Sequence, residues 1–274
     1  MASGDRGRVQ GRQSRYASER HRDHVRVHSQ PAPARHPAGK NFIVTHEPTF
    51  YNHFDDTKGL EDDPVYRYKQ EFIRKNNLVL WRFHDHWHAR KPDGIFVGFA
   101  RTLGWEAFAM KGAPGASHSS FVMPPRPFAE VAREIRSRLN TRSMRLIGDP
   151  NTPISKVCTM GHELSGAVRL VRDFDLLLAP EVREWDSVEY LRDLAVAGGN
   201  KAAAILAHER VEEFGMEECA TWLRTFVPEV PVEYIPSGEP FWGIPNNKGQ
   251  ARPSNRSRPG ANGKSSNEDR RVIR

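Results

Sequence analysis

The chain is 274 residues long, 38% hydrophobic and 27% charged, with a formal net charge of +7 and two cysteines. That length holds one large domain or two small ones, and Cys158 and Cys219, far apart and outside any CxxC pair, argue against a disulfide scaffold or a thiolate zinc site and suit a reducing compartment. No apolar run nears the ~18 residues of a membrane span and residues 1–40 hold no secretory h-region, so a cytoplasmic protein without membrane contact is expected.

The charge is uneven. Residues 1–40 carry nine Lys/Arg against three acids and residues 246–274 eight against two, so each end is +6 and the middle is −5. The pI near 9.6 and the mean hydropathy of −0.67 therefore reflect polar basic tails attached to an ordinary folded part. This excludes reading the whole chain as a nucleic-acid binder; the tails supply at most weak, non-specific attraction to nucleic acid. Both tails are aperiodic in Arg, Ser, Gly, Pro and Asn, the composition of disordered ends.

In chain order, Asn41–Thr45 is the first expected strand, ended by His46-Glu47-Pro48 because proline cannot pair onward. Tyr51–Asp63 is an aromatic and acidic loop. Pro64–Asn76 places Val65, Tyr68, Phe72 and Ile73 near helical spacing behind a first-turn proline. Leu78–Phe83 is the second strand, so the three form a βαβ unit. A helix is expected over Ile95–Leu103 to Gly104, a short strand at Phe121–Met123, and an amphipathic helix over Arg126–Leu139. Strands at Met144–Ile147 and Ile154–Met160 come next, then a helix to about Arg172 and a strand at Asp175–Leu178. A helix over Asp186–Ala197 is stopped by Gly198-Gly199. Ala202–Ala207 is a strand, Arg210–Phe226 a helix and Val230–Ile235 a last strand. This alternation indicates an α/β fold.

Three of the apolar runs end in histidine. Phe42–Thr45 runs into His46-Glu47, Leu78–Phe83 into His84, Asp85, His86 and His88, and Ala202–Ala207 into His208-Glu209. Taken singly, His46-Glu47 reads as an accidental neighbour pair, and the second run reads equally as ligands or as a His-rich surface turn. Their repetition at strand carboxyl ends, where α/β sheets bind ligands, points to one converging site. His208 and Glu212, four apart, face one point if a helix starts there. Glu209 and Glu213 read as acids favoured by the helix dipole, about 0.3–1 kcal/mol each. Imidazole with carboxylate and no thiolate suits a divalent transition metal (Zn, Fe, Mn, Co or Ni) and does not distinguish among them.

Asn41–Phe50 (NFIVTHEPTF), Leu78–Gly94 (LVLWRFHDHWHARKPDG) and Ala202–Gly215 (AAAILAHERVEEFG) resemble, in order and spacing, three blocks of the GTP cyclohydrolase type 2-like proteins, the Nif-three-like dinuclear-metal-centre family. Ile154–Glu181, ending in APE, resembles a further block that ends Thr-Gly-Glu in the family. The likeness spans about 41–243. It implies a three-layer α/β/α fold of two similar lobes with mixed sheets. The lobes are expected over about 41–105 plus 182–244, with 106–181 between them. Around this 41–244 region stand the disordered segments 1–40 and 245–274. By carry-over, the metal ligands are His46, Glu47, His88, His208 and Glu212, holding one or two ions. His88 stands where the family has a bridging Asp, and Glu47 where it has a second His, so Glu47, Glu212 or Asp85 is expected to take the bridge. The family also has a strand and helix before its first His block. Here the likeness starts abruptly at Asn41, which predicts a first sheet short of strands with an exposed edge, as a mis-set gene start would produce.

The leading expectation is a metal-dependent hydrolase acting on a nucleotide-like or phosphorylated small molecule, with His84 or His86 shuttling protons. The resemblance also implies a homo-oligomer, often a toroidal hexamer. The rival is a non-catalytic metal-binding regulatory or interaction protein.

Overall fold

The strands and helices sort into two mixed five-stranded sheets. The computed structural model describes residues 9–10, 25–28, 41–110, 119–161 and 164–243, with backbone alone for the first two stretches. The first sheet contains β1 (Val9–Gln10), β2 (Val25–His28), β3 (Phe42–Thr45), β4 (Val79–Arg82) and β10 (Val232–Tyr234), in the order β1-β4-β3-β2-β10. β4, β3, β2 and β10 run parallel, and β1 closes one edge antiparallel. The second sheet contains β5 (Ser120–Pro127), β6 (Arg145–Ile147), β7 (Pro153–Thr159), β8 (Leu176–Ala179) and β9 (Ala202–Ile205), in the order β5-β7-β8-β9-β6. Its three central strands are parallel and its two edges antiparallel.

The helices are α1 (Pro64–Lys75), α2 (Asp85–Ala89), α3 (Gly94–Leu103), α4 (Phe128–Arg138), α5 (Leu164–Leu170), α6 (Glu189–Val196) and α7 (His208–Arg224). Side chains alternate across a strand, and in the second sheet this divides the apolar residues between two cores. Leu176, Leu178, Ala202 and Ala204 face one core with α3 and α4. Leu177, Ala179, Ala203 and Ile205 face another with α5 and α6. Both faces are covered, which is why these strands read as unbroken apolar runs and why this part of the α/β fold is three-layered. None of the described helices is long and apolar enough to cross a membrane.

Three expectations are corrected. Val25–His28, inside the segment read as disordered, is a strand between β3 and β10, so β3 is not an exposed edge. The physical reason is that an alternating Val-Arg-Val-His stretch four residues long carries no helical or strongly apolar signal. The rest of the segments read as disordered, apart from Val9–Gln10, lies outside the described residues. Secondly, β9 pairs with β8, so residues 202–205 belong to the second sheet and not to the lobe containing 41–105; pairing between strands is not written in local periodicity. Thirdly, α2 fills what reads as a His-rich turn.

Two glycines set the distance between α3 and α7. A Cβ on Gly98 would lie 2.1 Å from the Phe214 carbonyl oxygen, and one on Gly215 2.3 Å from Ile95 Cα. The obstacles are backbone, which cannot rotate away. Trp87 of α2, 1% exposed, donates from Nε1 to the Gly215 carbonyl at 3.1 Å, so α2, α3 and α7 are keyed together at this crossing. Gly98→Ala is expected to cost about 1–3 kcal/mol or more of stability, the range for overpacking, read as a lower urea midpoint at unchanged slope.

Candidate metal centre

Four strand ends deliver the site. β3 ends in His46 and Glu47, β4 leads through Phe83 into His84, β8 leads into Glu181, and β9 leads into His208 at the start of α7. The carboxyl ends of both sheets thus face one place. The backbone there is fixed by Phe83 N–H to Thr45 O at 2.7 Å. Arg82, itself buried, donates to the His46 carbonyl at 3.3 Å and the His53 carbonyl at 2.7 Å.

Helix geometry sorts the histidines of α2. Residues four apart share a face and residues two apart oppose each other. His84 and His88 accordingly turn inward, with ring centroids 4.3 Å and 5.0 Å from His46. His86 turns out, its ring parallel to Phe83 at 6.4 Å. The structure thus separates His86, read from sequence as a proton shuttle, from the converging histidines, and it groups His84, read the same way, with His46 and His88 as a potential ligand.

Among the described residues, two triads offer donor atoms within 4.8 Å of one another: His46, His84 and His88, and His46, Glu47 and Glu212. His208 flanks the second, with Nε2 at 2.8 Å from Glu212 and 3.2 Å from Glu47. All five residues proposed as ligands from sequence therefore lie in one cluster. The carboxylates behind the rings are what sequence reasoning misses. Asp93 accepts the Ile95 N–H at 2.9 Å, capping α3, and its other oxygen lies 2.9 Å from His88 Nδ1. Asp85 lies 2.6 Å from His84 Nδ1, so it sits behind a ring and not at a bridge. Glu181 lies 3.7 Å from His208 Nδ1. Each of these three histidines has a carboxylate at Nδ1, the arrangement that orients imidazole ligands for a metal at Nε2. An Asp before a helix is a visible signal for Asp93; its second role is not.

His46 is different. It is 0% exposed, and neither ring nitrogen has a hydrogen-bond partner, although Nε2 is 3.3 Å from Glu212 Oε2. Buried polar atoms nearly always find partners.

A profile of the Duf34/NIF3 family (NGG1p interacting factor 3) matches residues 34–240. The chain belongs to this family. Solved structures repeat the fold of this Duf34/NIF3 protein. The ybgI protein, described as of unknown function, is 19% identical over 81% of this chain and 86% of its own, with a TM-score of 0.60. A Bacillus cereus protein related to NIF3 is 11% identical over 81% and 89%, TM-score 0.61. Reduced HcgD from Methanocaldococcus jannaschii is 13% identical over 85% and 90%, TM-score 0.59. At these identities the likeness is one of fold. No curated protein matches the chain.

The electrostatics of the Duf34/NIF3 site arise from burying two carboxylates. Burial alone would raise both, but His46 and the hydrogen bond from His208 hold Glu212 well below the ordinary carboxylate range. Glu47 is likewise raised by burial and brought below its usual value by His208 and His46. His208 is disfavoured as a cation by burial, yet Glu181, Glu212 and Glu47 push it up to about 12. His84 is driven down to about 4 by burial and by His46, so it is neutral near pH 7, suited to ligation and unsuited to shuttling protons there. His88 is depressed by burial and raised above its usual value by Asp93.

His208 binds its proton more tightly folded than unfolded, so its contribution to stability is full below about pH 6.5 and is lost as pH rises toward about 12. In chelator-treated protein, stability is therefore expected to fall from pH 7 to pH 10. His208→Gln should flatten that slope, measured by urea unfolding at pH 6, 8 and 10.

Proposed function

We propose that this Duf34/NIF3 chain binds one or two divalent transition-metal ions through His46, Glu47, His88, His208 and Glu212, with His84 added to the ligand set. The observation that carries the reading is His46. A fully buried imidazole with no partner at Nδ1 and only the Glu212 carboxylate at 3.3 Å from Nε2, set between two imidazoles and two carboxylates, is well matched to a cation. The donor set fits hard-to-borderline divalent ions, and the overlap of two triads at His46 fits one or two of them.

Such an ion, when bound, supplies Lewis acidity toward an oxygen ligand. The chain's own residues supply the rest. Asp93 and Asp85 hold the rings of His88 and His84, and Glu181 sits beside His208 at the rim, with its side chain 61% exposed. The carboxylates keep the site electron-rich, and burial of His46 excludes water from its floor. We read this as a metal-dependent hydrolase of a nucleotide-like or phosphorylated small molecule. A homo-oligomer, hexameric as the family resemblance implies, in the cytoplasm, completes the proposal. Two buried free thiols suit that compartment.

Elemental analysis of purified protein is expected to give about one or two transition-metal ions per chain, the occupancy two overlapping donor sets allow, with loss in both His46→Ala and Glu212→Ala. Folded wild-type protein without metal would overturn the reading. Turnover of a nucleotide or phosphoester panel, abolished by His208→Ala, tests the hydrolase step.

Asp93→Asn supplies a second check. Asparagine keeps an oxygen for the Ile95 N–H but not a carboxylate for His88 Nδ1. Metal affinity is expected to fall about 10- to 100-fold, with the metal-free protein losing the part of its stability that Asp93 supplies by holding the His88 proton, a loss that fades as pH rises. Equal affinity in the variant would remove Asp93 from the site.

A further inference from the structure

Among the described residues, His46 is common to both donor triads, and it is their only shared member: His46, His84 and His88 on one side, His46, Glu47 and Glu212 on the other. Three protein ligands are the number that leaves a metal one open position. A neutral imidazole has one lone pair and one N–H, and a ring nitrogen serves a single ion. Both triads filled at once therefore need both nitrogens of His46. The surroundings of the two nitrogens differ. Nε2 lies 3.3 Å from Glu212 Oε2, on the side of the carboxylate triad. Nδ1 is buried and has no hydrogen-bond partner. The rings of His84 and His88 lie against the same imidazole, with centroids at 4.3 Å and 5.0 Å.

An imidazole that binds one ion nearly always gives its other N–H to a carboxylate, a carbonyl or water. Three histidines of the cluster have such a partner. Asp85 stands 2.6 Å from His84 Nδ1, Asp93 2.9 Å from His88 Nδ1 and Glu181 3.7 Å from His208 Nδ1. His46 has none, although its side chain is the most deeply buried of the four. An ion at Nε2 alone leaves a buried N–H at Nδ1 with nothing to accept it, which folded proteins avoid. A second ion at Nδ1 removes that N–H and takes the place of the missing partner. The acids on that side are already committed: Asp85 and Asp93 face the Nδ1 atoms of His84 and His88, which leaves the Nε2 atoms of both rings as donors.

We propose that His46 bridges two divalent ions as an imidazolate, with Nε2 on the ion held by Glu47 and Glu212 and Nδ1 on the ion held by His84 and His88. The bridge rests on the metal-centre reading above and goes beyond it, because it fixes the number of ions at two and names the group between them. The first ion takes the lone pair of the ring. The second replaces the proton on the other nitrogen, and that proton leaves to solvent; nothing is oxidised or reduced. The anion so formed lies between two cations and, with Glu47 and Glu212, offsets their mutual repulsion.

Anomalous diffraction at the zinc edge, from crystals of the zinc-loaded full chain, tests the bridge. Two peaks are expected at the cluster, one at about 2.0–2.1 Å from His46 Nε2 and one at the same distance from Nδ1. In His84→Ala, with one imidazole donor removed, the peak at Nδ1 is expected to be lost and the peak at Nε2 kept. The wild-type map alone decides the bridge, whether or not the variant folds. Two peaks with water or nothing at Nδ1, a single peak, or an unchanged pair in His84→Ala would overturn the bridge and leave the metal-centre reading standing. A folded wild-type chain with no peak at the cluster after zinc loading would overturn both.

Discussion

Two carboxylates taken out of water need positive charge beside them, and much of the site is arranged around that need. Glu47 follows β3 of the first sheet and Glu212 lies in α7, which follows β9 of the second, and burial would neutralise both if nothing opposed it. In the metal-free protein a proton on His208 opposes it. That proton is poorly placed in one respect. His208 is the first residue of α7, where the helix dipole disfavours a cation. Only the convergence of Glu47, Glu181 and Glu212 holds it there. A divalent ion would meet the same carboxylates with twice the charge and would also reach His46, whose Nδ1 has no hydrogen-bond partner and whose Nε2 lies 3.3 Å from Glu212. Proton and metal would therefore compete for one set of acids.

This charge balance depends on distances that the scaffold fixes without polar help. α7 carries His208 and Glu212, and its approach to α3 is set by backbone contact at Gly98 and Gly215. α3 begins at the Asp93 cap, and the same carboxylate reaches His88. A change in the α3–α7 spacing thus moves donors from both ends of the cluster together. Farther out, Glu239, after β10, accepts from the backbone N–H groups of Arg142 and Ser143 at 2.6 and 2.9 Å and from Thr141 Oγ1 at 3.0 Å, all just before β6. One buried carboxylate thereby ties the ends of the two sheets. These hydrogen bonds, against the upward push of burial, keep it below its usual value.

Much of this is legible in the sequence because burial on both faces leaves a plain trace. The runs ending at Thr45, Arg82 and Ile205 are strands, and the residues after them face one place. The helices at 64–75, 128–138 and 208–224 match their apolar spacing. The parts that are not legible have physical reasons. β2 is short, half charged and recognisable only by its two parallel neighbours. β9 carries no mark of which sheet it joins. In the His84–His88 stretch, composition alone makes the three histidines equivalent; only the 200° turn between residues two apart separates His86 from its neighbours. Asp93 and Glu181 act through other side chains, and no spacing rule reaches across a cis-proline turn or between sheets.

The cluster is graded. His46 is sealed, His84 and His88 have about a fifth of their side chains exposed, Glu181 is open to solvent and Phe54 stands in water. A purely structural ion needs a closed shell of protein ligands, whereas a site that handles substrate keeps one side open. Here the closed side is built from strand ends and helix termini, where position is held to backbone precision. The open side is built from a loop and from Glu181, a rim carboxylate that also helps to hold the His208 proton. The charge balance therefore runs from the sealed floor to the rim, because His84 and Glu181 each belong to both sides.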